Sequence, residues 1–165
     1  MTTQTTEGTQ ARDAGVQSQF VAFQIDEREF AVDIMAVREL RGWVPPTKIP
    51  NVAPSIMGVV NLRGAIVPIL DMRICFGQPV TDLSRNNVVI IVVIDTRMTG
   101  LLVDAVTEIL TVQASQMQAL PGMEGLVGNR VVAELIALDQ RLVGVISLEK
   151  LIDGAQLTAA TGAES

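Results

Sequence analysis

The sequence predicts an all-β protein built from two small barrels, and three features of the chain favour this fold. Apolar residues make up 48% of the 165 residues and aromatic residues only 3%, so the core is mainly aliphatic. Valine and isoleucine are abundant, and their branched side chains fit a pleated strand better than a helix. Apolar stretches with a period of two also alternate with short polar or glycine-containing turns, which is the pattern of successive hairpins.

The first part of the chain predicts one hairpin followed by an irregular segment. Apolar residues occupy alternate positions in 21–25 and again in 30–34, on either side of the polar turn 26–29. The next segment, 42–54, contains four prolines, which remove backbone donors and fix the chain direction. We therefore expect an extended crossing between two strand pairs.

The second predicted hairpin joins residues 58–62 to residues 65–70 through Arg63 and Gly64. Glycine favours such a tight turn because it adopts positive φ values without steric cost. Pro68 cannot donate a ladder hydrogen bond, so its strand is expected at a sheet edge or at a bulge. An exposed edge here is one place where a partner could bind.

The polar link 77–87 leads to a second half with two further hairpins. The first joins 88–94 to 101–103 through the turn 95–100, and the second joins 132–138 to 142–146. Residues 102–110 fit a helical spacing, but valine, threonine and isoleucine favour a bent strand. Ser147 is expected to cap a short C-terminal helix that runs to about Ile152 and ends at Gly154.

Charge and composition exclude several kinds of function. The net charge of −6 and the absence of a basic cluster argue against nucleic-acid binding. The longest aliphatic run, Val88–Ile94, is too short for a membrane span, which needs ~20 residues. The first 15 residues contain no apolar segment, so they do not resemble a secretory signal. The single cysteine, Cys75, fits a reducing compartment. We therefore expect a cytoplasmic protein with no direct membrane insertion.

The enzyme motifs are weak, because the chain contains no histidine, the commonest general base and zinc ligand. Asp95 follows an apolar strand as in aspartic proteases, yet Arg97 would crowd that site. Ser147 and Lys150 have a Ser-x-x-Lys spacing, for which a helix cap is the simpler explanation. The glycines in 122–128 lack the lysine of a phosphate loop, and no acidic residues have metal-loop spacing. We expect no cofactor, no metal and no enzymatic activity.

One segment is more specific. Residues 58–73 read Gly-Val-Val-Asn-Leu-Arg-Gly-Ala-Ile-Val-Pro-Ile-Leu-Asp-Met-Arg. This closely resembles the signature of the CheW family, the coupling proteins of bacterial chemotaxis: Gly-Val-x-Asn-Leu-Arg-Gly-x-Ile-Val-Pro-Ile-x-Asp-x-Arg. Every fixed position matches, and the resemblance covers roughly residues 19–153. The motif itself places Asp71 and Arg73 on one face of an extended chain, where they are expected to pair.

The resemblance implies two intertwined five-stranded SH3-like barrels with short helices, one of them at the C-terminus. It also implies an adaptor that couples the cytoplasmic tips of methyl-accepting chemoreceptors to the regulatory domain of the histidine kinase CheA. The receptor is expected to present a helical hairpin to an apolar groove between the barrels. The residues expected to bind partners are Val37, Glu39, Gly58, Asn61, Arg63 and Ile66. For Arg63 two roles remain open at this point, direct contact with a partner or support of the hairpin that makes the contact.

The domain organisation expected from the sequence is a flexible tail at 1–17, a CheW-like domain at 18–153 and a flexible tail at 154–165. Two alternatives remain open at this point. One is a CheW-like adaptor in a pilus, gliding or other chemosensory-type kinase pathway. The other is a small β hydrolase that uses Asp95 or Ser147.

Overall fold

The computed structural model describes residues 17–77, 87–119 and 131–151. Within these ranges the chain is mostly β-strand, and the predicted all-β class is confirmed. No helix in the same ranges is long and apolar enough to cross a membrane. The strands are β1 (Gln17–Ile25), β2 (Arg28–Asp33), β3 (Val37–Gly42), β4 (Ile56–Leu62), β5 (Ala65–Asp71), β6 (Val88–Ile94), β7 (Arg97–Val103), β8 (Ala105–Gln113), β9 (Met117–Ala119), β10 (Val132–Leu138) and β11 (Arg141–Ile146).

The helical elements are short and lie between strands or after the last one. They are the four-residue helix α1 (Met72–Cys75), the 3-10 turns Ile34–Ala36 and Ala114–Gln116, and helical residues 148–151. The Asp71 carboxylate caps α1, because its Oδ1 accepts a hydrogen bond from the backbone N–H of Arg73 at 3.0 Å. The predicted tails lie outside the described residues, apart from Gln17, which opens β1.

The strands form two sheets, and the chain passes from one to the other and back. One sheet has the order β8-β1-β2-β11-β10-β9, and the other has the order β3-β6-β7-β5-β4. The first two and the last strands therefore share a sheet, which is the intertwining expected from the resemblance. Parallel pairing of β11 with β2 and of β5 with β7 joins hairpins that are distant in sequence. The sixth strand of the larger sheet, β9, has only three residues.

The larger sheet curls back towards itself through one bent segment. Strand β8 pairs with β1 at one edge, and β9 pairs with β10 at the other edge. Only the turn Ala114–Gln116 separates β8 from β9 along the chain, so the two edges of this sheet lie close together. The bend predicted for 102–110 is also confirmed, since β7 ends at Val103 and β8 begins at Ala105.

Three apolar clusters fill the two lobes and the space between them. Along β6, Val89 and Ile91 pack inside the five-stranded lobe, whereas Ile90 and Val92 pack in the cluster shared by both lobes. Strand β1 alternates in the same way between the shared cluster and the interior of the six-stranded lobe. Because β6 is covered on both faces, its sequence is a continuous apolar run rather than an alternating one.

The hairpin turns are tighter than the sequence predicted. The turn between β1 and β2 has two residues, Asp26 and Glu27, and the turn between β6 and β7 also has two, Asp95 and Thr96. Asp26 and Asp95 have φ values of 61° and 57°, a region that aspartate tolerates better than most residues. The predicted turns 26–29 and 95–100 were too long, because Arg28 and Glu29 already belong to β2 and residues 97–100 already belong to β7.

The expectation that Pro68 marks an edge strand is wrong, since β5 lies between β4 and β7. Opposite Pro68, Val59 exchanges two backbone hydrogen bonds of 2.8 Å with Thr47. Val59 and Pro68 thus form a non-hydrogen-bonded pair, which needs no donor from proline. On the other side of β5, the pairing with β7 begins only at Ile69, so Pro68 has no partner residue there either. The sequence also allowed a bulge at Pro68. The register does shift in this hairpin, but on the partner strand β4, between Ile56 and Gly58.

Candidate functional site

An ion-pair network joins the two outer strands of the five-stranded sheet. Glu39 lies on β3 at one edge, and Arg63 lies in the turn after β4 at the other edge. Arg63 Nη2 donates to Glu39 Oε2, while Arg41 Nη1 donates to Glu39 Oε1 at 3.0 Å. One carboxylate is therefore held on both oxygens by two guanidinium groups. Since 24 residues separate Glu39 from Arg63, local sequence patterns could not predict this contact.

The network also affects the pKa of Glu39. The hydrogen bond from Arg63, followed by that from Arg41, holds the pKa of the Glu39 carboxyl below its ordinary value, although partial burial opposes this effect. The two arginines therefore favour the ionised form of Glu39, in which both carboxylate oxygens accept hydrogen bonds.

The turn that carries Arg63 is fixed by its neighbours. Arg63 and Gly64 have φ values of 51° and 89°, as in a type I′ hairpin turn. The Asn61 Oδ1 accepts a hydrogen bond of 2.8 Å from the backbone N–H of Gly64. Asn61 therefore stabilises the turn that directs the Arg63 side chain towards Glu39, and 68% of that side chain stays exposed.

Exposed apolar side chains surround the network. Ile66, the cross-strand partner of Asn61, is 64% exposed. Val44 is 48% exposed and lines a small cavity of about 50 Å³ together with Arg41 and Asn61. We call this region the hairpin-tip surface, which consists of Glu39, Arg41, Val44, Asn61, Arg63 and Ile66.

The sequence had identified four of these six residues. Arg41 and Val44 were missed. The position of Arg41 carried a usable signal, because residues two apart on a strand share a face and Arg41 follows Glu39 at that spacing. Val44 carried none, since it lies in the irregular proline-rich segment.

Val37 and Gly58 lie away from the exposed surface. Val37 is half-buried against the shared core and pairs with Val92. Gly58 is buried at a φ of 152°, and a Cβ there would lie 2.3 Å from the backbone oxygen of Thr47. Partner binding by these two residues stays a prediction. The structure does give Gly58 a steric role, because only glycine permits this approach.

A second candidate surface is a cleft of about 670 Å³ between the lobes. Phe20 and Val145 line it from the six-stranded lobe, and Val93 and Ile94 line it from the end of β6. Leu148 adds an apolar side chain from the last helical turn. The cleft therefore combines side chains from both sheets. It is less apolar than the groove that the resemblance implied, because Asp33, Asp95, Glu134 and Glu149 also line it.

Two residues of the hydrolase alternative, Asp95 and Ser147, also line this cleft. The Ser147 Oγ lies 3.4 Å from the Lys150 backbone N–H, and the Ser147 carbonyl accepts the first helical hydrogen bond from Leu151. These contacts confirm Ser147 as a helix cap. The predicted helix end at Gly154 and the glycines in 122–128 lie outside the described residues.

The expected pairing of the Arg73 side chain with Asp71 is wrong in the structure. The Arg73 guanidinium instead forms a bidentate contact with Asp104, with Nε 3.0 Å from Oδ1 and Nη2 2.5 Å from Oδ2. Asp71 is fully buried at the start of α1 and accepts from the Arg73 backbone rather than from its side chain. The strand ends at Asp71, so the two side chains no longer share a strand face.

Exposed arginines next to exposed aliphatic residues are typical of surfaces through which one protein binds another. A cleft between two lobes is a common place for a second ligand. Together with the fold, these surfaces define a two-lobed β-domain of the protein-binding class.

Comparisons with known proteins identify the particular family. Residues 19–156 match the family model of the CheW-like domain. The chain is 37% identical over 142 residues to the probable chemotaxis protein CheW of Rhizobium etli, covering 86% of this chain and 92% of that protein. It is 27% identical over 135 residues to the chemotaxis protein CheW of Bacillus subtilis, covering 81% and 85%. The chain therefore belongs to the CheW-like domain family.

The fold agrees with a solved structure as well. The crystal structure of the scaffolding protein TtCheW from Thermoanaerobacter tengcongensis superposes with a TM-score of 0.76 at 30% identity. The match covers 82% of this chain and 92% of that chain, so both lobes contribute to it.

Proposed function

We propose that this chain is a non-enzymatic adaptor of bacterial chemotaxis, which couples chemoreceptor tips to the regulatory domain of the histidine kinase CheA in the cytoplasm. The observation that carries the proposal is the Glu39–Arg63 contact. It joins two edges of a sheet into one exposed surface at the positions where the resemblance implied partner binding. The named relatives, which are chemotaxis and scaffolding proteins, support the same role.

The two surfaces suggest a division of labour. The hairpin-tip surface is proposed to bind the kinase domain, because it is exposed, charged and held rigid by hydrogen bonds within the turn. The inter-lobe cleft is proposed to receive the receptor tip, because both lobes line it with apolar and acidic side chains, a mixture that suits an amphipathic helix. The lack of histidine throughout the chain supports a role without catalysis.

The test is a calorimetric titration of the kinase regulatory domain with the full chain and its variants. We expect Glu39→Lys and Arg63→Ala to weaken binding by at least ~10-fold, since charge-assisted hydrogen bonds each contribute about 1.5–3 kcal/mol. The matched controls are Glu108→Lys and Arg141→Ala, which break another exposed ion pair, joined at 2.6 Å on the six-stranded lobe.

The controls are expected to bind like the wild type, and all four variants should keep their melting temperatures. Undiminished binding by both Glu39→Lys and Arg63→Ala, with the fold intact, would show that these residues do not form the kinase surface.

A further inference from the structure

Between the described strands, the chain passes from one sheet to the other at two places. The first is the turn Ile34–Ala36, which leads from β2 to β3. Asp33 and Ala36, at the two ends of this turn, line the inter-lobe cleft. A hydrogen bond of 2.9 Å from the Met35 N–H to Asp33 Oδ1 stays within the turn. The second crossing is Asp104, the single residue between β7 and β8.

Asp104 lies at the end of the strands that is remote from the cleft. Ile94 lines the cleft and pairs with Arg97 at one end of the β6–β7 hairpin, whereas Val103 lies at the other end. Strand β1 runs in the same way, from Phe20 at the cleft to the turn that precedes β2. At about 3.3 Å per residue, the length of β7 separates Asp104 from the cleft by roughly 20 Å.

The Asp104 crossing is held by hydrogen bonds from both lobes. In the six-stranded lobe, the backbone N–H of Asp26 donates to Asp104 Oδ2 at 2.7 Å, and the Asp104 N–H donates to the Gln24 carbonyl at 3.0 Å. From the five-stranded lobe, the Arg73 guanidinium donates to both carboxylate oxygens. One residue therefore joins the ends of β1 and β5 at the point where the chain changes sheet.

Directional contacts at this crossing can set the angle between the lobes. The shared apolar cluster holds the lobes together, but hydrophobic contact has no preferred direction. A bidentate guanidinium–carboxylate contact and a hydrogen bond to the backbone depend on angle as well as on distance. Over a lever of roughly 20 Å, a rotation of about 5° at Asp104 displaces a wall of the cleft by about 2 Å. Such a displacement matters for a groove that must fit an α-helix of about 10–12 Å diameter.

We propose that Asp104 is a positioning residue for the inter-lobe cleft. Together with Arg73 and the backbone of Asp26, it fixes the angle between the lobes, and this angle sets the width at which the cleft receives the receptor tip. The hairpin-tip surface belongs to the five-stranded lobe alone, so its shape does not depend on the angle. The inference rests on the proposed function for the identity of the ligand in the cleft.

The angle is tested by the distance across the cleft, measured by pulsed electron paramagnetic resonance between spin labels on Thr96→Cys and Gln118→Cys. Thr96 lies in the five-stranded lobe and Gln118 in the six-stranded lobe. Both residues are exposed, and each is next to a residue that lines the cleft. Cys75→Ala is the common background, so that only the introduced cysteines carry a label. The chain with these three changes is the reference.

We expect Asp104→Ala and the milder Arg73→Gln to broaden the distribution of distances by about 2 Å or more, the displacement that follows from the strand length. The matched control is Val143→Ala, in the buried interior of the six-stranded lobe. This change destabilises the fold by leaving a cavity but does not touch the crossing, so its distribution should equal that of the reference. Equal broadening in Val143→Ala and Asp104→Ala would assign the effect to lost stability and overturn the proposal.

Calorimetric titrations of the same variants with a soluble receptor cytoplasmic fragment and with the kinase regulatory domain test the consequence for binding. Affinity for the receptor fragment should fall at least ~5-fold in Asp104→Ala, because only a fraction of the molecules then has a cleft of the binding width. Affinity for the kinase domain should stay at the reference value. An equal loss for both partners, or unchanged distances and receptor affinity in Asp104→Ala, overturns the proposal.

Failure of the proposed function gives a different result. A reference chain that does not bind the receptor fragment at all overturns the receptor role of the cleft. The label distances are measured without any partner, so they decide independently whether Asp104 sets the angle between the lobes.

Discussion

Individual residues in the five-stranded lobe have two separate kinds of role. Arg63 and Glu39 are exposed or half-exposed and contact each other, so their chemistry is available to a partner. Gly58, three residues before Asn61 on the same strand, is buried under the backbone of Thr47. Both kinds of residue occur in one motif, and only the structure separates those that shape the turn and strand from those that present a surface.

Replacing Gly58 with alanine should destabilise the fold by about 2–4 kcal/mol, as expected for a steric clash combined with an unfavourable backbone conformation. The new Cβ would lie 2.3 Å from the Thr47 oxygen, at a φ of 152°. The matched control is Gly42→Ala on β3, where a Cβ meets nothing within 4 Å. Chemical denaturation measures both variants, and equal stabilities for the two would contradict the steric explanation.

The buried thiol of Cys75 should make the free energy of unfolding depend on pH in the alkaline range. Burial raises the pKa of the Cys75 thiol to about 11, although a hydrogen bond with Ser55 partly opposes this shift. In the unfolded chain the thiol ionises near its ordinary value of ~8.5. Raising the pH above that value therefore favours the unfolded chain, and stability should fall until the folded thiol ionises as well.

The measurement is the melting temperature between about pH 7 and pH 10.5, which brackets the ordinary thiol pKa. The variant Cys75→Ala should lose part of the alkaline decline. An identical decline in the variant and the wild type would show that Cys75 is not the titrating group.

At the scale of elements, Asp104 connects parts of both sheets at the bend between β7 and β8. Its carboxylate accepts from the Arg73 guanidinium at the end of the five-stranded lobe. Its Oδ2 also accepts a hydrogen bond of 2.7 Å from the backbone N–H of Asp26, in the turn between β1 and β2. The pKa of Arg73 is raised above its ordinary value, chiefly by its hydrogen bond to Asp104, so this contact favours the charged guanidinium.

Asp104→Ala should lower the free energy of unfolding by about 2–4 kcal/mol, because it leaves a half-buried guanidinium and a backbone N–H without their acceptor. Glu108→Gln provides the comparison, since it weakens an exposed pair with Arg141 that contributes at most ~1 kcal/mol. Urea denaturation of the two variants tests the difference. Similar losses in both would contradict the connecting role of Asp104.

The elements also show what the sequence can and cannot predict. The hairpins β1–β2, β4–β5, β6–β7 and β10–β11 were predicted because each depends on local alternation and a nearby turn. The parallel pairs β2–β11 and β5–β7 were not, because no local pattern encodes which distant strand will pair. The same reason explains the site. The motif predicted Arg63 as a site residue, but its contact with Glu39 depends on tertiary packing. Tertiary packing also explains why the Arg73 side chain binds Asp104 and not Asp71.

At the scale of the whole molecule, the shared apolar cluster fixes the two lobes relative to each other. It contains buried side chains from β1 and β2 of one sheet and from β5, β6 and β7 of the other. The hairpin-tip surface lies on one lobe, and the cleft lies between the two lobes. If both surfaces bind as proposed, one domain can hold two partners without changing shape, which is the physical requirement for an adaptor.

The proposed function requires that one chain bind the kinase domain and the receptor tip at the same time. Analytical ultracentrifugation of the chain with a kinase regulatory domain and a soluble receptor cytoplasmic fragment tests it most directly. We predict a ternary complex that requires the chain and is weakened by Arg63→Ala on the kinase side only. If the two partners displace each other from the chain, or assemble equally well without it, the adaptor account is wrong.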